Sequence, residues 1–340
     1  MAKIVTMGEI MLRLSTPGYQ KFIQADNFEV NYGGGEANVC VSLARFGHKT
    51  YFVSKVPDNP IGECAVAALR KHDVNCDYII KGGERLGIYY LEPGASMRPS
   101  NVVYDRAHSS MSEAAIEEFD FDTIFKGADW FHLSGITPAI SDKAAALALA
   151  ALQKARELGV KVSMDFNYRA KLWSYEKAGK VMTELLPYVD VCIGSKEDAI
   201  YILGMTPSQK PEVGGAVADD VTKDMFQQMI ERFGFQCMAG TMRESYSASD
   251  NGWSACIYDG KEFYHTRKYD MRIVDRVGGG DSFAAGLICG LVEGKGIKEA
   301  LDFATAASAL KHTIPGDVNL VTRSEVERLM NGDASGKVQR

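Results

Sequence analysis

Several absences narrow the sequence before any motif is read. No apolar run approaches the roughly 20 residues that a membrane-spanning helix needs, so none is expected. No Lys/Arg block occurs, and 38 basic against 44 acidic residues leave a formal net charge of −6. A nucleic-acid partner, which requires a basic face to neutralise phosphates, is therefore not expected. The seven cysteines are scattered without a C-x-x-C pair, and an odd number cannot all pair. That argues against a disulfide scaffold or structural zinc, and most of these thiols read as small buried hydrophobes. The six histidines, His48, His72, His108, His132, His265 and His312, have no metal-ligand spacing. Met1-Ala2-Lys3-Ile4-Val5 enters a strand-like run with none of the three regions of a secretory signal, so the expected location is the cytoplasm.

What is present is 340 residues, 46% of them hydrophobic, enough for one large domain or two smaller ones. Apolar β-branched runs alternate with helical-period runs: 4–7 then 37–46, 50–56 then 62–71, 130–133 then 143–158, 160–166 then 175–186, and 191–193 then 197–203. Strands and helices alternating at these lengths favour parallel strands joined by right-handed crossovers. The expected fold is α/β, a three-layer core around a mainly parallel sheet.

Two stretches break the alternation. Ile88-Tyr89-Tyr90-Leu91 and Val102-Val103-Tyr104 alternate at strand period, and Pro17-Gly18 and Pro93-Gly94 mark turns. Residues 12–32 and 85–108 are therefore read as a small inserted β lid on a core of 1–11, 33–84 and 109–330, with 331–340 a frayed tail. Near the C-terminus, Asp259-Gly260 between two strand-like runs predicts a tight hairpin, and Ser324-Glu325-Val326-Glu327 reads as a capping box opening the last helix.

The most informative segment is Asp275-Arg276-Val277-Gly278-Gly279-Gly280-Asp281-Ser282-Phe283, followed by an apolar helical run. Three glycines before a helix let backbone N–H groups converge, and the helix N-terminus adds about half a positive charge. Phosphate oxygens suit such a place. An aspartate there repels an anion unless metal or a transferred proton compensates, and beside a phosphoryl donor Asp281 can take the proton of an attacking hydroxyl. The plainer reading makes the glycines a flexible turn and Asp281 a helix-dipole partner. Against flexibility, the helix behind is apolar on nearly all faces, with Gly286 and Gly290 one turn apart, so its tip should be anchored in the core.

This segment resembles the C-terminal signature D-T-x-G-A-G-D of the ribokinase-like (PfkB) carbohydrate kinases, departing from it at Arg276 and Gly279. Gly33-Gly34-Gly35-Glu36-Ala37-Asn38 resembles their N-terminal signature, and the two motifs lie in order near opposite ends of the chain. The resemblance implies Asp281 as catalytic base, the N–H groups of Gly278, Gly279 and Gly280 as an anion hole, and Gly34 and Asn38 against the sugar. It also implies ATP as donor, with Thr241 and Arg243 on its phosphates and Ala304, Ala307 and Ser308 lining the adenine pocket. The family's N-x-x-E segment, which organises Mg²⁺ through water, matches Ser195-Lys196-Glu197-Asp198 with both end residues changed. Asp198, with Ser195, is expected to hold that water or else to form a helix cap. A monovalent cation such as K⁺ is expected beside Asp275 and Gly316-Asp317.

Within the family the pattern most resembles the 2-keto-3-deoxygluconate kinases, through Tyr89-Tyr90, Tyr104-Asp105-Arg106 and the run from Asp165 to Trp173. Arg106 and Arg169 suit the carboxylate of a sugar acid, Tyr90 and Tyr104 the polyol, and Asn167 emerges where a strand ends. For each arginine a plain salt bridge, and for each tyrosine simple packing, is the alternative. The expected reaction is ATP-dependent phosphorylation of a primary hydroxyl. The rivals are a neutral-sugar kinase resembling fructokinase and a non-catalytic sugar-binding module. A dinucleotide dehydrogenase fits less well, because the main glycine cluster lies near the C-terminus. Exposed lid strands make a homodimer an expectation.

Overall fold

The computed structural model describes residues 1–208 and 217–336, so the last four residues of the expected tail lie outside the described residues. Among the described residues the large sheet has ten strands. From one edge the order is Phe263–His265, Asp250–Tyr258, Cys237–Ser245, Val191–Ile193, Lys161–Asp165, Trp130–Ser134, Lys3–Met7, Lys49–Val56 and Ile79–Lys81, with Tyr269–Arg272 also pairing to Asp250–Tyr258. Every pair from Cys237–Ser245 to Ile79–Lys81 is parallel, and the strands beyond Cys237–Ser245 are antiparallel. Gly260, at φ +84°, turns the hairpin that the Asp259-Gly260 dipeptide predicts.

Helices cover both faces, which is why the central strands are apolar at successive positions. On one face Ile4, Trp130, Ile193 and Ala239 pack with Gly35–Arg45, Gly279–Val292 and Ile297–Lys311. On the other, Val5, Phe131, Cys192 and Met238 pack with Asp142–Glu157, Tyr175–Leu185 and Val217–Phe233. Side-chain caps fix several helix starts: Ser141 Oγ accepts from Ala144 N at 3.0 Å and Ser174 Oγ from Lys177 N at 3.2 Å. The last helix, Arg323–Met330, opens two residues earlier than the capping-box reading. Thr322 is the extended N-cap and Glu325 its reciprocal partner, whereas Ser324 already lies in the first turn.

Six of the seven cysteines are buried and none is paired; Cys64 is exposed. No helix among the described residues is long and apolar enough to cross a membrane.

A second sheet of four strands runs Glu29–Gly33, Met11–Ser15, Gly87–Glu92, Asn101–Asp105. Its central pair is parallel and both outer pairs are antiparallel. Strand alternation turns Met11, Arg13, Ser15, Tyr89 and Leu91 inward. Val30 and Val103 face solvent.

Candidate active site

The parallel strands deliver their C-terminal ends to one edge of the large sheet. Lys3–Met7 lies between Trp130–Ser134 and Lys49–Val56, so successive connections leave it in opposite directions and open a crevice there, where α/β sheets bind ligands. A cavity of about 500 Å³ occupies this end, roofed by the inner face of the small sheet. A second, of about 320 Å³, adjoins it and shares Asp165, Asn167, Thr241 and Gly280 with it.

Asp281 lies on the floor of the larger cavity, in the first turn of Gly279–Val292. That helix is buried along almost its whole length, and a Cβ at Gly286 would approach Ala304 Cα to 2.6 Å, so close packing anchors it. Its N-terminus needs Gly278 at φ +81°, a left-handed conformation in which a Cβ would also overlap the Asp317 carbonyl. The N–H of Gly279 is shared with the Arg276 carbonyl at 3.4 Å. Those of Gly278, Gly280 and Asp281 have no acceptor among the described residues. Donors aimed at an open cavity from a helix tip suit an anion.

Burial pushes the Asp281 carboxyl up to about 7; Glu36 and Asp317 add to the shift, while the Asn38 hydrogen bond and Arg169 oppose it. Asp165, ending the strand Lys161–Asp165, is likewise raised to about 7, by burial first and then by the charges of Asp281 and Asp198. These acids belong to one interacting group. Glu36 is buried apart from the cavity, its Oε1 accepting from Ser134 N, Ser134 Oγ and Thr137 Oγ1 at 2.7 to 2.9 Å. It ties the Gly35–Arg45 helix to the end of Trp130–Ser134.

Gly34, Asn38, Tyr104, Arg106, Asn167, Arg169, Thr241, Arg243 and the three glycines all line the larger cavity. A Cβ at Gly34 would overlap the Glu9 carbonyl, so close backbone approach requires glycine there. Asn38 Nδ2 donates to Asp281 Oδ2 at 2.7 Å. Thr241 and Arg243 share one face of their strand, and the Arg243 guanidinium lies 5.1 Å from the Trp253 ring centroid. Burial, then the neighbouring Arg276, pull the Arg243 pKa down. Arg276, the residue at which the C-terminal signature departs from threonine, thus adds a second cation to the cavity.

Four expectations are corrected. Tyr90 faces away from the cavity and packs edge-on to Phe28, at 5.9 Å between ring centroids; Tyr89, one residue earlier, lines the cavity beside Tyr104. Arg106 is not a free cation, because its Nε and Nη2 both donate to Glu9 Oε2, Nε at 2.9 Å. Ala307 is wholly buried between helices and lines neither cavity, and Ala304 and Ser308 are enclosed with it. Asp275 already holds Arg13 Nη2 at 2.6 Å, so its carboxylate is internally paired.

Ser195 and Asp198 line the smaller cavity, where Ser195 N and Oγ both donate to Asp198 Oδ2 at 2.8 Å. Arg169 is exposed at the rim, with Nη1 on the Tyr168 carbonyl at 3.1 Å and no ion-pair partner among the described residues. Sequence reading gave Asp165, Arg13, Glu9 and Tyr89 no role. For Asp165 a signal existed, an acid ending an apolar parallel strand. Elsewhere, His48, Cys289 and Glu293 lie close enough to share a metal, but Arg323 Nη2 reaches both Cys289 Sγ, at 3.3 Å, and Glu293.

A family model for pfkB family carbohydrate kinases matches residues 1–322. The chain belongs to the PfkB family. It is a sugar kinase, a phosphotransferase with an alcohol acceptor. A 2-dehydro-3-deoxygluconokinase structure from Thermotoga maritima superposes on this PfkB kinase with a TM-score of 0.92 at 46% identity, covering 98% of this chain and 100% of that one. Among curated proteins, a 2-dehydro-3-deoxygalactonokinase of Haloferax volcanii is 33% identical over 98% of each chain. A 2-dehydro-3-deoxygluconokinase of Bacillus subtilis is 27% identical over 96% of this chain and 95% of its own.

Proposed function

We propose that this kinase transfers the γ-phosphoryl group of ATP to the primary hydroxyl of 2-keto-3-deoxygluconate, the sugar acid also called 2-dehydro-3-deoxygluconate. The observation that carries the reading is the placing of Asp281 and the unpartnered N–H groups of Gly280 and Asp281 in one cavity with the unpaired Arg169 at its rim. The carboxylate of an open-chain sugar acid lies at the opposite end from its primary hydroxyl. Arg169 at the rim and Asp281 on the floor match that polarity, and Arg169 can offer a planar fork to the carboxylate.

In this mechanism Gly34, Tyr89 and Tyr104 orient the polyol, and the roofing sheet limits water around the reacting atoms. Asp281 accepts the proton of the hydroxyl as its oxygen bonds to phosphorus and the bond to the ADP oxygen breaks. A carboxyl poised near neutrality suits that task. The N–H groups of Gly278, Gly280 and Asp281 and the cations Arg243 and Arg276 stabilise charge on the transferring and departing phosphates. Asp165 and Asp198 fit Mg²⁺: they are oxygen donors whose pKa values are raised by burial first, with the charges of Asp281 and Asp198 adding for Asp165 and that of Glu197 for Asp198, and a divalent cation would offset the cost of keeping them ionised. When bound, Mg²⁺ supplies charge neutralisation across the donor phosphates.

The cytoplasm, where ATP is available, suits a chain with seven unpaired cysteines. Among the described residues no further strand pairs with the outer strands Glu29–Gly33 and Asn101–Asp105, beside exposed Val30 and Val103, and we assign this surface to a second copy, checked by sedimentation velocity.

The test of substrate class is a coupled ADP-release assay with ATP and Mg²⁺ across 2-keto-3-deoxygluconate, its galactonate epimer, fructose and ribose. The proposal expects kcat/KM at least tenfold higher on a 2-keto-3-deoxy acid than on either neutral sugar, with gluconate preferred over galactonate. A preference for fructose would overturn the acid assignment, and sugar binding without ADP release would favour a non-catalytic module.

A further inference from the structure

Lys311 is the last residue of Ile297–Lys311 and its side chain has no solvent exposure. Among the described residues its ammonium makes no ion pair within 4 Å. Instead Nζ donates to three backbone carbonyls, those of Gly316 at 2.7 Å, Ile314 at 3.1 Å and Asp275 at 3.4 Å. A ring of carbonyl oxygens around a buried positive charge is the coordination that a dehydrated monovalent cation takes. It lies where the resemblance to the PfkB kinases places K⁺, beside Asp275 and Gly316-Asp317.

The acidic side chains at that place are already occupied. Arg13 Nη2 holds Asp275 Oδ2 at 2.6 Å and Arg13 Nη1 holds Asp317 Oδ2 at 2.9 Å. Asp275 Oδ2 also accepts from Gly316 N at 3.0 Å, Asp275 Oδ1 from Val277 N at 3.0 Å, and Asp317 Oδ1 from the Tyr89 hydroxyl. Two carboxylates against two internal cations balance to zero. Potassium added here would bring a third positive charge into a buried region, next to an ammonium using the same carbonyls. The residues present do not fit a bound potassium ion.

We propose that the Lys311 ammonium is this chain's built-in substitute for the monovalent cation, so that turnover is independent of potassium. The geometry connects it to the chemistry. Lys311 ties the 314–316 loop to Asp275, three residues before Gly278, and its stem passes behind the glycine turn, where a Cβ on Gly278 would meet Lys311 Cε at 3.3 Å. It acts as a positioning residue, holding the N–H groups of Gly278, Gly280 and Asp281 in register without touching substrate. The inference rests on the kinase assignment and not on the choice of sugar.

The test uses wild type and Lys311→Ala, comparing KCl, NH₄Cl and tetramethylammonium chloride at equal ionic strength. Wild-type velocity should differ by less than about twofold among the three salts. In Lys311→Ala, loss of anion-hole order should lower kcat roughly 10- to 100-fold with the sugar KM little changed. Potassium or ammonium should restore at least fivefold of that loss and raise the variant's melting temperature, while leaving that of wild type unmoved. Potassium activation of wild type by fivefold or more would overturn the proposal, as would a variant that keeps full kcat or that no monovalent cation rescues. The melting arm reads Lys311 without turnover, so absence of all kinase activity would count against the enzyme assignment alone. The wild-type salt comparison stands even if the variant does not fold.

Discussion

The side-chain amide of Asn38 donates to Asp281 Oδ2 across 2.7 Å, joining two helix N-termini that are 243 residues apart in the chain. The amide is itself oriented, because its Oδ1 accepts from Gly34 N at 3.3 Å. One glycine signature therefore positions the acid of the other. A hydrogen bond to the charged form holds a carboxylate's pKa down, and Asn38 opposes the upward push of burial on Asp281. Asn38→Leu should lower kcat by about 10- to 100-fold and move the ascending limb of the kcat/KM pH profile to higher pH. An unchanged limb would show that Asn38 does not set the state of Asp281.

Asp165 makes a prediction about stability. Its folded-state pKa, about 7, stands above its ordinary 3.8, with burial as the first cause. Between those values the native protein keeps a proton that the unfolded chain has released. The contribution to stability is thus complete below about pH 4 and is lost as pH rises through about 7. Asp165→Asn carries no charge to bury. Its melting temperature should exceed that of wild type by about 2–5 °C at pH 8, with the difference closing towards pH 4. Calorimetry at the two pH values checks the sign, and a destabilised variant at pH 8 would contradict it.

Arg169 and Arg106 line the same cavity but differ in pairing, since only Arg106 is held by a carboxylate, that of Glu9. Arg169→Met should raise the KM for a sugar acid roughly 10- to 100-fold, the range for a charge-assisted hydrogen bond, and leave kcat within threefold. On a neutral sugar the loss should stay within threefold, through the rise in the Asp281 pKa that removing Arg169 allows. Arg106→Met, by contrast, strands a buried Glu9 carboxylate and should lower the melting temperature as well as activity.

Adjacent tyrosines separate the two faces of a lid strand. Tyr89 donates its hydroxyl to Asp317, while Tyr90 packs against Phe28 on the opposite face. Tyr89→Phe should impair kcat/KM by about tenfold, because it leaves one Asp317 oxygen without its donor. Tyr90→Phe should stay within twofold. Steady-state kinetics on both variants decides which tyrosine belongs to the site.

That pair also marks where sequence reading stops. Period-two alternation says that Tyr89 and Tyr90 point to opposite sides, but which side is covered depends on pairing with strands elsewhere, Tyr89 opposite Tyr104 and Arg13 opposite Tyr89. The core was legible because alternating apolar runs of strand and helix length admit few arrangements, and the Asp281 turn because its glycines are consecutive and open an apolar helix. Arg13 was not legible, since its partners Asp275 and Asp317 lie 262 and 304 residues away and nothing local announces them. Ala307 shows the reverse problem. Small residues on a helix suit a ligand pocket or close helix packing equally, and here the closeness of Gly286 and Gly290 to Ala304 and Ala300 decides for packing.

The role of Asp281 as proton acceptor is tested by the kinetics of Asp281→Asn with 2-keto-3-deoxygluconate and saturating Mg²⁺-ATP. The asparagine keeps the shape of the side chain but cannot take a proton. kcat should fall by about 10²- to 10⁴-fold, with dissociation constants for sugar and nucleotide within a few-fold of wild type by calorimetry. A variant that turns over within fivefold of wild type would contradict it.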